Sequence, residues 1–272
     1  MSQSRLVYQS NIWQEEAEAN NPFAAQAYFC HGYDVYKHIV PNATWIESLF
    51  LLFKGERPSS QQAQLLEKVA VILSHTSIRD ASVRAAMNSG VSGATHAATL
   101  MAALAVGAGQ YGGSHEVNLA MQLWQRCGCD LGQWQSHLLA YQQPKTAHHV
   151  ADIWHDIEHP IGFDPNCPQC PTPILQALRL LAQMSDGQAL KWLHQQRETL
   201  EQTVNASLAL TGVMAAAFYD LGFDEHQAEM LFLVLRLPSA AVFALEQQQL
   251  GWRKFPFFGE QIQLANDCGV KE

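Results

Sequence analysis

Residues 154–170 read WHDIEHPIGFDPNCPQC, and this stretch supports two readings with different consequences for the fold. His155, Glu158 and His159 spell H-x-x-E-H, a zinc-peptidase pattern with two imidazole ligands and Glu158 as base. On a helix, Asp152, His155, Asp156 and His159 would share one face. Pro160 argues against it, because the residue before a proline is biased away from the α region and a helix would end at His159. Such a site also needs a carboxylate ligand on a later helix, and no matching motif supplies one. Cys167 and Cys170 form a lone CxxC, a weak zinc signal without a second pair. A reduced thiol pair in a proline-rich turn is the preferred reading. The alternative takes His159-Pro160 as the start of a loop that runs on to Asp164-Pro165.

The surroundings favour that loop in a helical protein. Ser59 precedes QQAQLLEKVAVILSH, which spaces Leu65, Val69 and Ile72 along one helix face. Residues 80–87 and 95–107 read as two more helices. The second is apolar nearly all round, so a central, closely packed helix is expected. Helices are also expected over 185–201 and over 204–221, the latter ending at Gly222. Asp224 with Gln227 forms a capping box for a helix through Leu235. Pro238 is expected to interrupt it, with a helical pattern resuming over 239–249. Alternating strand patterns are scarce, with a short strand or turn expected around Gly32 within 27–40.

Composition narrows the function. The chain has 272 residues, 48 % of them hydrophobic and only 15 % charged, which predicts a large buried core and an oligomer interface. A formal net charge of -9 argues against nucleic acid and anionic membrane surfaces as partners. The first twenty residues carry no apolar signal region, and the longest apolar run noted, 97–107, is too short to cross a membrane. A cytoplasmic location with six reduced cysteines is therefore expected.

Several blocks, taken in order along the chain, resemble the citrate synthase family, in particular its short citryl-CoA lyase-like members. HGYDVYKHIVPNATWIESLFLLFKGERPS (31–59) resembles R-G-Y-D … S-F-x-E-x-x-x-L-L-x-G-E-L-P. LSHTSIRDASVRAA (73–86) resembles D-H … N-A-S-T-x-A-A-R. AVGAGQYGGSHEVNLAM (105–121) resembles A-G-I-x-A-L-x-G-P-x-H-G-G-A-N-E. IEHPIGFDP (157–165) resembles G-F-G-H-P-x-Y … D-P-R-A. TVNASLALTGVMAAAFYDLGF (203–223) resembles V-N-V-D-x-A-L-A-A-L-x-x-D-L-G-F, and LFLVLRLPSAAVFALEQ (231–247) resembles L-F-x-x-x-R-x-x-G-x-x-A-H-x-x-E.

The resemblance implies an all-α fold with a large helical domain, 1–117 plus 208–272, and a small inserted domain, 118–207. It implies a homodimer that makes or cleaves a C–C bond between an acyl-CoA and a 2-keto acid. Coenzyme A would enter as a thioester substrate, with no bound cofactor and no metal. By this resemblance His115 polarises the thioester carbonyl, His159 protonates the keto oxygen and His75 assists. Arg236 and Arg253 bind substrate carboxylates, Arg253 reaching across the dimer. Asn205 and Ser207 line the substrate site, and Asp164 belongs to the coenzyme A side.

Four departures stand out. The catalytic aspartate reads Ser207, which has no comparable basicity. The opening arginine reads His31, D-P-R-A reads Asp164-Pro165-Asn166-Cys167, and the positions after His115 read Glu116-Val117-Asn118-Leu119. Glu116 is the preferred replacement base, with Asp164 second. A degenerate homologue that binds a carboxylate or coenzyme A ligand without turnover is the alternative, and a zinc-dependent hydrolase through HDIEH the outsider.

Overall fold

The computed structural model describes residues 10–140 and 159–254. His155 and Glu158 lie outside them, as does Cys268. The chain opens with a three-stranded antiparallel sheet, β1 (Trp13–Glu18), β2 (Asn21–Cys30) and β3 (Tyr33–Asp34), in the order β1-β2-β3. The turn expected around Gly32 joins the last two strands, with His31 and Gly32 both at positive φ. β1 carried no readable signal, because every one of its residues is exposed and no apolar alternation marks a buried face.

The rest is helical: α1 (Val40–Asn42), α2 (Trp45–Lys54), α3 (Ser60–Ser74), α4 (Ala81–Val91), α5 (His96–Gly107), α6 (Ser114–Cys127), α7 (Leu131–Leu139), α8 (Thr172–Met184), α9 (Ala189–Val204), α10 (Leu210–Asp220) and α11 (Glu225–Leu250). Capping side chains set most of the starts. Reciprocal capping boxes form at Thr44/Glu47, Ser59/Gln62 and Asp224/Gln227, and Asp80 and Thr95 cap α4 and α5. α9 has no cap of its own. Asp220, at the end of α10, accepts hydrogen bonds from the Ala189 and Leu190 backbone N–H groups at 2.8 and 3.1 Å and so ties the two helices together.

α10 is the central helix. Thr211 through Phe218 are all buried, with α6, α9 and α8 packed around them. The main core runs from Phe50, Leu66 and Val69 through Val117, Met121 and Trp124 to Leu178, Leu190 and Leu231, so it draws on both 118–207 and the flanking segments. Trp124 meets Trp134 and Trp192 edge-on and stacks on Tyr219. A smaller cluster joins α4, α5 and α11 through Val83, Ala86, Ala103 and Ala240.

Three expectations need correction. The helix expected from residue 204 starts only at Leu210, because Ser207 and Leu208 form β5, which pairs with β4 (Phe163–Asp164). α5 is not central in this chain: it buries only Thr99, Ala103 and Gly107, and Met101 is 61 % exposed. α11 runs unbroken through Pro238. The proline sits on the exposed face, as does Val234 one turn earlier, so water can reach the carbonyl that loses its partner.

α11 is also long and apolar enough to cross a membrane by length and composition, which the sequence reading did not register. Its inward face is packed in both core clusters and carries a buried arginine, as befits a core helix.

Candidate functional site

The junction of α5 and α6 is built from small residues. Gly113 allows no side chain, since a Cβ there would lie 2.2 Å from the Gly109 carbonyl oxygen. The tight turn brings the Gly112 N–H onto Glu116 Oε2 at 2.7 Å. On the other side, the loop after His159 crosses α10 where Gly162 faces Gly212. A Cβ on Gly212 would lie 2.5 Å from the Gly162 oxygen. Gly162 has φ +84, and its N–H donates to Glu116 Oε1 at 2.8 Å.

Glu116 is thus a buried carboxylate held by three donors. Its third partner is His159, whose Nε2 lies 3.0 Å from Oε1. An ionised carboxylate only accepts, so Nε2 carries the proton and Nδ1 is the ring nitrogen left for other chemistry. The Tyr111 ring and this imidazole meet edge-to-face, ring centroids 5.1 Å apart. This pair, His159 with Glu116, is the point at which HDIEH meets the described structure.

The same turn leads to Arg236 on α11. The Gly112 oxygen lies 3.4 Å from Nη1, while Nη2 donates to Asp80 Oδ2 in a short ion pair. The guanidinium stands over the Phe232 ring, its Cζ 4.7 Å from the centroid. Burial pulls the Arg236 guanidinium below its ordinary value, and the charge of Asp80 opposes this. Arg236, Asp80, Gly112, Asp164, Thr76 and Thr211 help line one cavity of about 210 Å³.

The other expected residues divide. Asp164 lines the cavity and is the cross-strand partner of Ser207. Ser207 is buried, and its hydroxyl has no hydrogen-bond partner among the described residues. Asn205 is the left-handed C-cap of α9, exposed, and shares a neighbouring groove with Ser207 and Cys167. His75 is exposed, its Nδ1 donating to the Val71 carbonyl at 2.8 Å; its neighbour Thr76, not the imidazole, reaches the cavity. Arg253 is exposed beside Trp252. It follows Arg236 by enough helix to stand about 25 Å away along α11.

His115 departs most from expectation. Its side chain is 47 % exposed, and its Nδ1 faces Glu229 at 3.7 Å rather than His159 or Arg236. Tyr111, itself 54 % exposed, is the residue whose ring meets His159. The readable signal was the glycine pair: Gly112-Gly113-Ser114-His115-Glu116 fits G-G-A-N-E four residues earlier than the register of the sequence reading, which puts Tyr111 on the histidine of that pattern.

Cys167 and Cys170 are free thiols. Cys170 donates to the Leu208 carbonyl and is pushed up to about 11, chiefly by burial. A protonated thiol is a poor metal ligand. Among the described residues no group of three His, Cys, Asp or Glu converges as a metal site.

No known protein-family model and no curated protein matches the chain. Solved structures do. Citryl-CoA lyase from Hydrogenobacter thermophilus superposes with a TM-score of 0.68 at 16 % identity, over 98 % of this chain and 96 % of that one. ATP citrate lyase from Methanothrix soehngenii, in complex with citrate and coenzyme A, has a TM-score of 0.70 at 15 % identity, over 98 % of this chain and 43 % of that one. Citrate synthase from Thermotoga maritima has a TM-score of 0.59 at 14 % identity, over 84 % of this chain and 59 % of that one. With its largely helical architecture, the chain has a citrate synthase-like fold.

Proposed function

We propose that this protein is an enzyme that makes or cleaves a C–C bond between an acyl-CoA and a 2-keto acid. The observation that carries the reading is the continuous link His159–Glu116–Gly112–Arg236, which joins a held imidazole, itself outside the cavity lining, to a guanidinium that lines one small cavity.

In the condensing direction a base removes the α-proton of the acyl thioester. The resulting enolate attacks the keto carbon, and the alkoxide takes up a proton. His159 Nδ1 exchanges that last proton, with Glu116 balancing the imidazolium. The Tyr111 hydroxyl donates to the thioester oxygen, the role the resemblance gave to His115. Glu116 is too fully hydrogen-bonded to serve as base. Asp164 takes that part, since it lines the cavity directly across the strand pair from Ser207. Cleavage runs the same steps backwards.

The reading includes a homodimer. Exposed apolar side chains on α5 (Met101, Val106) and α11 (Met230, Val234, Val242, Leu245) are the surface it would cover, and Arg253 would complete the site of the other subunit. Residues 118–207 would close over bound substrate, and free cysteines accord with a cytoplasmic setting.

The test is formation of the condensed acyl-CoA from acetyl-CoA with a panel of 2-keto acids, read by mass spectrometry, with free thiol appearing only where that thioester is then hydrolysed; for the reverse it is C–C cleavage of citryl-CoA to acetyl-CoA and oxaloacetate. Turnover that is lost in His159→Ala supports the enzyme. Ser207 at the aspartate position favours a second reading, a homologue that binds without turnover. Saturable ligand binding with no C–C bond formed or cleaved in either direction would select it.

A further inference from the structure

We propose that the cavity beside Arg236 takes a 2-keto acid bearing a single carboxylate and rejects a dicarboxylic one, with Asp80 as the residue that sets this preference. The inference rests on the C–C bond reading above and names its substrate class.

Among the described residues lining the cavity, Arg236 is the one cationic side chain, while Asp80 and Asp164 are both anionic. Asp80 already holds Nη2 of Arg236, and its other oxygen is committed to the N-terminus of α4 through the Ser82 and Val83 N–H groups and the Ser82 hydroxyl. Asp80 is therefore fixed in place and does not swing away to free the guanidinium. The resemblance has asparagine in the N-A-S-T block that ends here as Asp80-Ala81-Ser82, so the carboxylate itself is the departure.

A ligand carboxylate can still use the other face of the guanidinium fork. A second carboxylate finds no free cation among the described residues and meets Asp80 or Asp164. Arg253 from a partner subunit would bring the cavity to neutrality, not to a positive surplus. What the cavity does offer is hydroxyl chemistry. Thr211 lines it, is 2 % exposed, and its hydroxyl has no partner among the described residues. Such a buried, unsatisfied hydroxyl suits a ligand oxygen.

The experiment is equilibrium binding of pyruvate and of oxaloacetate, which adds one carboxylate to the same three-carbon skeleton, to the full chain in the presence of coenzyme A. The expected result is pyruvate bound at least about tenfold more tightly, because an unpaired like charge in the cavity is penalised. Asp80→Asn keeps the helix cap, since asparagine caps as well as aspartate, and is expected to swing the ratio by about tenfold or more toward oxaloacetate. Tighter oxaloacetate binding by the unmodified protein overturns this inference alone. So does an unchanged ratio in a folded Asp80→Asn protein. Binding of neither acid overturns both this inference and the C–C bond reading on which it rests.

Discussion

Glu116 Oε1 and His159 Nε2 lie 3.0 Å apart although 43 residues separate them in the chain, and the two backbone N–H groups of Gly112 and Gly162 hold the carboxylate in place. The arrangement commits one imidazole nitrogen to the protein; on the C–C bond reading the other is the one that exchanges a proton with substrate. Glu116→Gln should lower kcat on the order of 100-fold, with KM changed little, because a neutral amide no longer balances the imidazolium. Steady-state kinetics of C–C bond formation or cleavage measure the split; an equal loss in 1/KM would mean that Glu116 acts in binding. Glu116→Ala should also destabilise the fold by about 1–3 kcal/mol in urea unfolding, since buried donors lose their acceptor.

Tyr111 and His115 give opposite expectations. Tyr111→Phe removes the hydroxyl of the ring packed against His159 and should cost about 100-fold or more in kcat on the C–C bond reading. His115→Ala alters a half-exposed side chain beside Glu229 and should leave kcat nearly unchanged. The reverse order of effects would return the carbonyl-polarising role to His115.

Gly113→Ala tests the turn that presents Tyr111 and Glu116. The added methyl meets backbone atoms of Gly109 and Gly107, which cannot rotate away, so a loss of about 1–3 kcal/mol in denaturant unfolding is expected. Ser114→Ala is the control. Ser114 is buried with an unpartnered hydroxyl among the described residues, and its removal should be neutral or slightly stabilising.

Cys170 governs an alkaline response. Its folded value, about 11, stands above the ordinary thiol value of 9.0. The folded state therefore holds a proton that the unfolded chain gives up first, and stability present below pH 9.0 is lost as pH rises toward about 11. Cys30, Cys127 and Cys129 are raised too, so they act in the same direction. Unfolding midpoints measured through this window should fall steadily. Iodoacetamide labelling read by mass spectrometry should leave Cys170 unmodified at pH 8, and prompt modification there would contradict a buried, protonated thiol.

The apolar faces of α5 and α11 give the assembly prediction. Met230→Lys together with Val242→Lys should convert the proposed dimer to monomer in sedimentation equilibrium, with helical content retained. A monomeric unmodified protein would remove the dimer, and with it the role of Arg253.

Much of the fold was legible because it is local. Capping residues such as Ser59, Asp80 and Asp224 act within one turn, and the heptad-like spacing of Leu65 and Val69 needs no distant partner. β1 and the β4–β5 pair were not legible. The first is exposed on both faces, and the second is two residues long on each side, so neither imprints a pattern. The extent of α11 was misread at Pro238 because solvent exposure, which sequence does not state, makes a missing backbone hydrogen bond tolerable there.

The residues of the candidate site were visible as types, but their company was not. The sequence by itself determined a helical chain, a His-Pro loop at 159–160 and an arginine in an apolar run at 236. Only the tertiary structure decided that Glu116 holds His159, that Tyr111 rather than His115 lies against that imidazole, and that Asp80 occupies Arg236. The reason is physical: each pairing depends on a side-chain direction fixed by backbone approach, at Gly113 and between Gly162 and Gly212, where a shift of a few ångströms exchanges one partner for another.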